Sequence, residues 1–191
     1  DMQRVTDEYE VAVLRVLAGE GELDEIGAGE LLAAADAAGV RAHEHALDAD
    51  LAIDADEFAE CVNACVEELE SGKCVLLASR GGQGRTGAVA AAILVALGAS
   101  ASEAIATMRE LRGPHCVHSR GEAAVETFAA TDTRAGDVRF DFGHESDAPA
   151  GETTAVDVPS EVEWPLRAGS DSAPGGDAKP VRVTVPAPAP A

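Results

Sequence analysis

The residues best suited to chemistry lie in CVLLASRGGQGRTGAVAAAILVALG, residues 74–98. An apolar stretch runs into a turn made of Ser79, Arg80, Gly81, Gly82, Gln83 and Gly84, and a second apolar stretch leaves it through Arg85 and Thr86. In a strand–turn–helix of this kind, backbone N–H groups converge at the helix N-terminus. The macrodipole adds about half a positive charge there. The glycines remove side chains that would block an approaching anion and tolerate the φ values a tight turn requires. Arg85, in the first turn of the helix, can fork two N–H donors onto phosphate oxygens, with the Thr86 hydroxyl beside it. The pattern predicts a cradle for a phosphate group lined by residues 79–86, and it leaves the task of Ser79 as the question.

Several elements have to position that turn. VAVLRVLA (11–18) is β-branched and apolar, which predicts a buried strand, and VRAHEH (40–45) alternates like a second one. GAGELLAAADAAG (27–39) between them reads as a helix ended by Gly39. DADLAIDADEF (48–58) reads as a loop entering a helix, with Asp54 as its cap and Glu57 three residues on. That helix continues to Gly72, and the strand Cys74–Leu77 follows. The helix after the turn is apolar on all sides and belongs in the middle of the molecule. Two further helices begin with Ser100/Glu103 and Ser119/Glu122 at capping-box spacing. Strands alternating with helices predict an α/β fold, a mostly parallel central sheet flanked by helices with the anion-binding loop between a strand and the central helix. From residue 131 the character changes: eight of the nine prolines lie beyond it, among Gly, Ala, Ser and Asp. This predicts a domain over 1–130 and an acidic, Pro/Gly/Ala-rich tail over 131–191, disordered or loosely docked. Because the chain starts with Asp rather than Met, N-terminal residues are expected to be missing or trimmed.

Charge narrows the partners. Thirty-five acids against 14 bases give a formal charge of −21, and Lys73 and Lys179 are the only lysines. Binding to a nucleic-acid backbone rests on clustered Lys and Arg, so nucleic acid is excluded as a partner. No membrane span and no export signal are visible, which predicts a cytoplasmic protein. A salt-adapted cytoplasm favours such an acidic, lysine-poor composition, and an acidic proteome from a GC-rich genome leaves a similar mark. Cys61, Cys65, Cys74 and Cys116 then read as reduced thiols. His43, His45, Cys116 and His118 lack paired zinc-ligand spacing, so neither metal nor cofactor is expected.

The segment GKCVLLASRGGQGRTGAVAAAILVALGASASEAIATMRELRG (72–113) resembles the signature region of the cysteine-dependent protein tyrosine and dual-specificity phosphatases. It is most similar to the kinase-associated phosphatase subgroup (cyclin-dependent kinase inhibitor 3). GELDEIGAGELLAAADAAGVRAHEHALDADLAID (21–54) extends the likeness upstream, and together it covers about residues 10–130. The resemblance implies a phosphomonoester hydrolase whose motif is His-Cys, five residues, then Arg and Ser/Thr. In that register Arg85 is the motif arginine, Ser79 takes the nucleophile position and Ala78 the histidine position. It also implies a general acid on a loop about thirty residues before the nucleophile, where Asp48 and Asp50 flank Ala49. Two similar spacings do not fit. VLLAS between Cys74 and Arg80 is strand-like, and HCVHSRG (115–121) lacks the glycines and the apolar helix.

The serine matters for a physical reason. A cysteine at a helix N-terminus can have its pKa lowered to about 3.5–7.5 and attack as a thiolate. A serine hydroxyl stays protonated in the same field and needs an adjacent base. Loss of chemistry with retained phosphate binding is therefore the expected state, a pseudophosphatase recognising a phosphorylated protein or a small phosphomonoester. An active phosphatase whose cysteine was replaced is the alternative. A nucleotide-binding P-loop fits less well, because Ser79 replaces its first Gly and Arg85 its Lys. A further alternative is a relic whose loop binds nothing. No aromatic wall selects among phosphotyrosine, phosphoserine, phosphothreonine or a small ligand: Tyr9 and four phenylalanines are scattered, and Trp164 lies in the tail. Arg80 is expected to help hold a partner, whereas Arg109 reads as a solvated surface residue.

Overall fold

A computed structural model describes residues 2–51 and 54–132. Three strands, β1 (Val11–Val16), β2 (Arg41–Glu44) and β3 (Cys74–Ala78), form one sheet in the order β2-β1-β3. Both pairings are parallel, with Val13 opposite Arg41 and Leu14 opposite Leu76. The helices are α1 (Met2–Tyr9), α2 (Glu20–Glu25), α3 (Leu31–Ala37), α4 (Ala55–Glu70), α5 (Arg85–Ala96), α6 (Ala101–Arg112) and α7 (Ser119–Thr131).

Strand periodicity divides the core in two. On β3, Val75 and Leu77 pack into the cluster formed with α4–α7, whereas Cys74, Leu76 and Ala78 pack towards the opposite face. There Met2, Val5 and Tyr9 of α1 and Leu31, Leu32 and Ala35 of α3 cover Val11, Leu14 and Val16 of β1. Central β1 is buried from both sides, which is why it reads as an almost unbroken apolar run. The helix α5 packs against α4, α6, α7 and β3, as its all-round apolarity predicts.

Boundaries differ from expectation in particular places. The helix expected over 27–39 spans only Leu31–Ala37, because Gly27 adopts φ +70° and the chain turns before Leu31. The helices α1 and α2 were not foreseen. Asp54 does cap α4, its carboxylate accepting from Asp56 N, and Ser100 and Glu103 form a reciprocal capping box. The last helix is capped one residue earlier than expected: the His118 ring accepts from Gly121 N, and Ser119 is already helical. All four cysteines are free thiols. Among the described residues no helix is long and apolar enough to cross a membrane, and no group of three or more His, Cys, Asp or Glu residues could hold a metal ion. The expected tail lies, beyond Asp132, outside the described residues.

Candidate anion-binding site

The turn 79–84 leaves the C-terminal end of β3 and enters α5, so it stands where ligands of parallel sheets bind. The strand ends are knitted together beneath it. Leu17 N donates to Ala78 O at 2.7 Å, and Leu47 N donates to Leu17 O at 3.2 Å. Gly82 and Gly84 both have positive φ, +64° and +59°.

Arg85 is only 5% exposed. Its Nη1 donates to the carbonyls of Leu17 and Leu47, both at 3.0 Å, and to Glu22 Oε2 at 2.6 Å, while Nη2 donates to Glu22 Oε1 at 2.8 Å. Of the five N–H donors of a guanidinium, these contacts use both on Nη1 and one on Nη2. The Nε–H and the second Nη2–H make no hydrogen bond among the described residues. Glu22 is held below its ordinary value of 4.5, first by its hydrogen bond to Arg85, against an opposing effect of burial. Sequence reasoning did not find Glu22. A buried arginine requires a carboxylate partner, but GEGELDE (19–25) offers three glutamates and an aspartate, and nothing in their spacing selects one.

Ser79 is half-buried, and its hydroxyl lies 2.8 Å from the Thr86 hydroxyl across the turn. Thr86 is 2% exposed. No imidazole, lysine or carboxylate is hydrogen-bonded to Ser79 among the described residues. Arg80 is exposed and pairs with Glu25 at 2.9 Å. Gly81 and Gln83 are exposed, and Gly82 is half-buried.

The two acid candidates lie on the loop that follows β2. Asp48 follows directly on Leu47, whose carbonyl holds Arg85, and its Oδ1 accepts from Asp50 N at 2.9 Å. Asp50 pairs with Arg120 of α7 at 3.0 Å. Leu51, the next residue, is buried with φ +56°, a conformation that costs a bulky residue energy and persists only where packing enforces it.

The segment joining α6 to α7 also touches the turn. Arg112 Nη2 donates to Gly82 O at 3.0 Å, Gly84 N donates to Cys116 O at 3.1 Å, and the His118 ring lies against the bare face of Gly84. Thus the Gly84 amide is turned towards Cys116, although the sequence suggested that it joins its neighbours in facing an anion. Arg109 is not a solvated surface residue either: it is half-buried and donates to Val117 O at 2.9 Å and to Glu122. The decoy HCVHSRG is this supporting segment, its Cys116 buried and its Sγ donating to Met108 O at 3.1 Å.

No protein-family model matches the chain, and no curated protein matches it significantly. Solved structures do. The chain is similar to kinase associated phosphatase (KAP) carrying a serine in place of its catalytic-site cysteine, with 25% identity, a TM-score of 0.60, and 68% of this chain and 78% of that one covered. It is similar to Tk-PTP in its active form, with 23% identity, a TM-score of 0.56, and 68% and 84% covered. It is also similar to PTPMT1 in complex with PI(5)P, with 18% identity, a TM-score of 0.59, and 69% and 85% covered.

Proposed function

We propose that this chain, whose fold is that of the protein tyrosine and dual-specificity phosphatases, binds phosphate groups on a protein or small phosphomonoester and has little or no hydrolytic activity. The observation that carries the proposal is the contrast within one turn. Arg85 is buried, held by a two-point ion pair and two carbonyls, and has two N–H groups that these contacts leave unused. Ser79 has only another hydroxyl as partner. In this reading residues 79–86 form the phosphate site, Glu22 and the two carbonyls aim Arg85, and residues 131–191 are an appended tail.

The proposed binding step needs no covalent chemistry. Amides of the turn and the α5 dipole attract the anion, and the two remaining Arg85 donors fix its orientation. Attack by Ser79 would require its proton to leave for an acceptor. Thr86 is a hydroxyl of similar acidity and does not serve as one. Asp48 or Asp50 would take the general-acid position of the phosphatase motif, which matters only once a nucleophile acts.

Calorimetry with tungstate or vanadate tests this. Binding is expected for the wild type and lost in Arg85→Ala. It should persist near 1 M salt, where a Debye length of about 3 Å removes the repulsion of the −21 surface. An anion that leaves no heat in the wild type removes the proposal and favours the relic. Ready hydrolysis of an aryl phosphate by the unmodified chain removes the inertness alone. The reading of an active phosphatase with its cysteine replaced is favoured if Ser79→Cys, alone or with Ala78→His, recovers turnover. The similar KAP structure carries a serine in place of its own catalytic-site cysteine, which supports weighing this reading. Magnesium-dependent ATP binding would revive the nucleotide loop.

A further inference from the structure

We propose that Arg112 is a positioning residue of the anion-binding turn: by holding the Gly82 carbonyl it aims the Gln83 amide at the bound oxyanion. This rests on the oxyanion-binding reading above. Arg112 ends α6, where a basic side chain is ordinarily explained by the helix dipole. Its guanidinium does something more specific. Across thirty residues of sequence, Nη2 reaches Gly82 O at 3.0 Å.

That contact fixes more than one atom. No peptide bond in the described residues is cis, so the Gly82 C=O and the Gln83 N–H point in opposite directions. With the carbonyl held towards Arg112, the Gln83 N–H is turned away from it. No hydrogen bond among the described residues uses that N–H. The next amide behaves differently, since Gly84 N donates to Cys116 O. Neighbouring peptides are thus sorted: the Gln83 donor is kept for a ligand, and the Gly84 donor belongs to the support.

An external hold is needed because of where it acts. Gly82 sits at φ +64° without a Cβ, so its own sterics hardly limit rotation of the peptide that follows. Gly81 and Gln83 on either side are exposed, so packing does not limit it either. The base from which Arg112 reaches is firm by comparison. Cys116 and Val117 are buried, the Val117 carbonyl accepts from Arg109, and Gly87 lies so close to Cys116 that a Cβ would come within 1.8 Å of its carbonyl oxygen.

Tungstate affinity of the full chain should be compared for wild type, Arg112→Ala, Arg112→Gln, Arg112→Lys and Arg85→Ala, with thermal midpoints and amide NMR. Arg112→Ala and Arg112→Gln are expected to weaken binding about tenfold, as loss of a charge-assisted bond would, with thermal midpoints near the wild type. The large tungstate-induced shift of the Gln83 amide should shrink in both, and Arg112→Lys should restore part of each effect. Affinity within twofold of wild type, or an undiminished Gln83 shift, overturns the role of Arg112 while leaving the Arg85 site intact. Failure of the wild type itself to bind tungstate, with Arg85→Ala indistinguishable from it, overturns the oxyanion site and this proposal together.

Discussion

Ser79 and Arg85 stand at opposite ends of one turn, and the protein holds them in different ways. Every hydrogen bond of the Arg85 guanidinium comes from distant sequence: Leu17 and Glu22 follow β1, and Leu47 follows β2. Ser79 is held by Thr86, seven residues away in its own turn. The guanidinium end is therefore specified by the whole fold, and the hydroxyl end by local geometry. A buried charge must be satisfied for the domain to fold, whereas a hydroxyl beside another hydroxyl places almost no demand on its surroundings. Selection for a folded domain alone would preserve the first end more strictly than the second, so gripping an anion can outlast attacking it.

The largest effect should come from breaking the specified end. Arg85→Ala leaves Glu22 without its partner and two strand-end carbonyls without a donor. A loss of about 3 kcal/mol or more is expected in urea unfolding, as when one member of a buried ion pair is removed. Ser79→Ala removes one neutral hydrogen bond and should cost about 1 kcal/mol. Equal costs for the two would erase the contrast. Next in size is Gly87→Ala. The added methyl would meet the Cys116 carbonyl oxygen at 1.8 Å and its carbon at 2.6 Å, both backbone atoms that cannot swing aside. We expect about 1–3 kcal/mol of destabilisation, whereas Gly81→Ala, with nothing within 4 Å, should change stability by about 0.5 kcal/mol or less.

The Glu22–Arg85 pair also leaves a signature in pH. The carboxyl is lowered from 4.5 in the folded chain, so the unfolded chain takes up the proton first as the solution is acidified. The stabilisation is present in full above the ordinary value and is lost as pH falls through the lowered one. Stability measured downward from neutrality should thus decline more steeply below about pH 4.5 in wild type than in Glu22→Gln. Parallel acid limbs would mean that the pair does not hold Arg85 in solution.

The same division decides what could be read from sequence. β1 and β3 were legible because strands packed on both faces read as apolar runs, β2 because its residues alternate although they are mostly exposed, and α5 because it is apolar all round. The cradle residues were legible because a turn carries its chemistry in consecutive positions. Contacts closing over long distances were not. α2, EGELDE, has Gly21 within it and only Leu23 buried, so neither propensity nor periodicity announces a helix. It is tied to the site by Glu22, a choice among several acids that only the fold makes. The α6–α7 segment read as a failed copy of the motif because its function is to support the turn through a carbonyl, a side-chain cap and a close approach of backbones, none of which has a spacing rule. His118 in place of Ser119 as the α7 cap is the same limitation on a smaller scale: an imidazole nitrogen accepts from Gly121 N just where a hydroxyl one residue later would have been expected.

The smallest effect concerns the acid loop. Arg120 and Asp50 are 57% and 76% exposed in their side chains, so their 3.0 Å pair is formed in high dielectric and bears the entropy cost of two exposed side chains. A double-mutant cycle of Asp50→Asn and Arg120→Ala should give a coupling of about 0.2–1 kcal/mol at low salt. It should fade towards zero near 1 M salt, where the Debye length is about 3 Å. The Glu22–Arg85 coupling, measured in parallel, should keep most of its size, because Arg85 lies beneath the strand ends and little solvent reaches it. If both couplings decay alike with salt, then Arg85 is solvated like a surface residue, and the distinction between an enforced end and a loosely held end of the turn fails at its physical root.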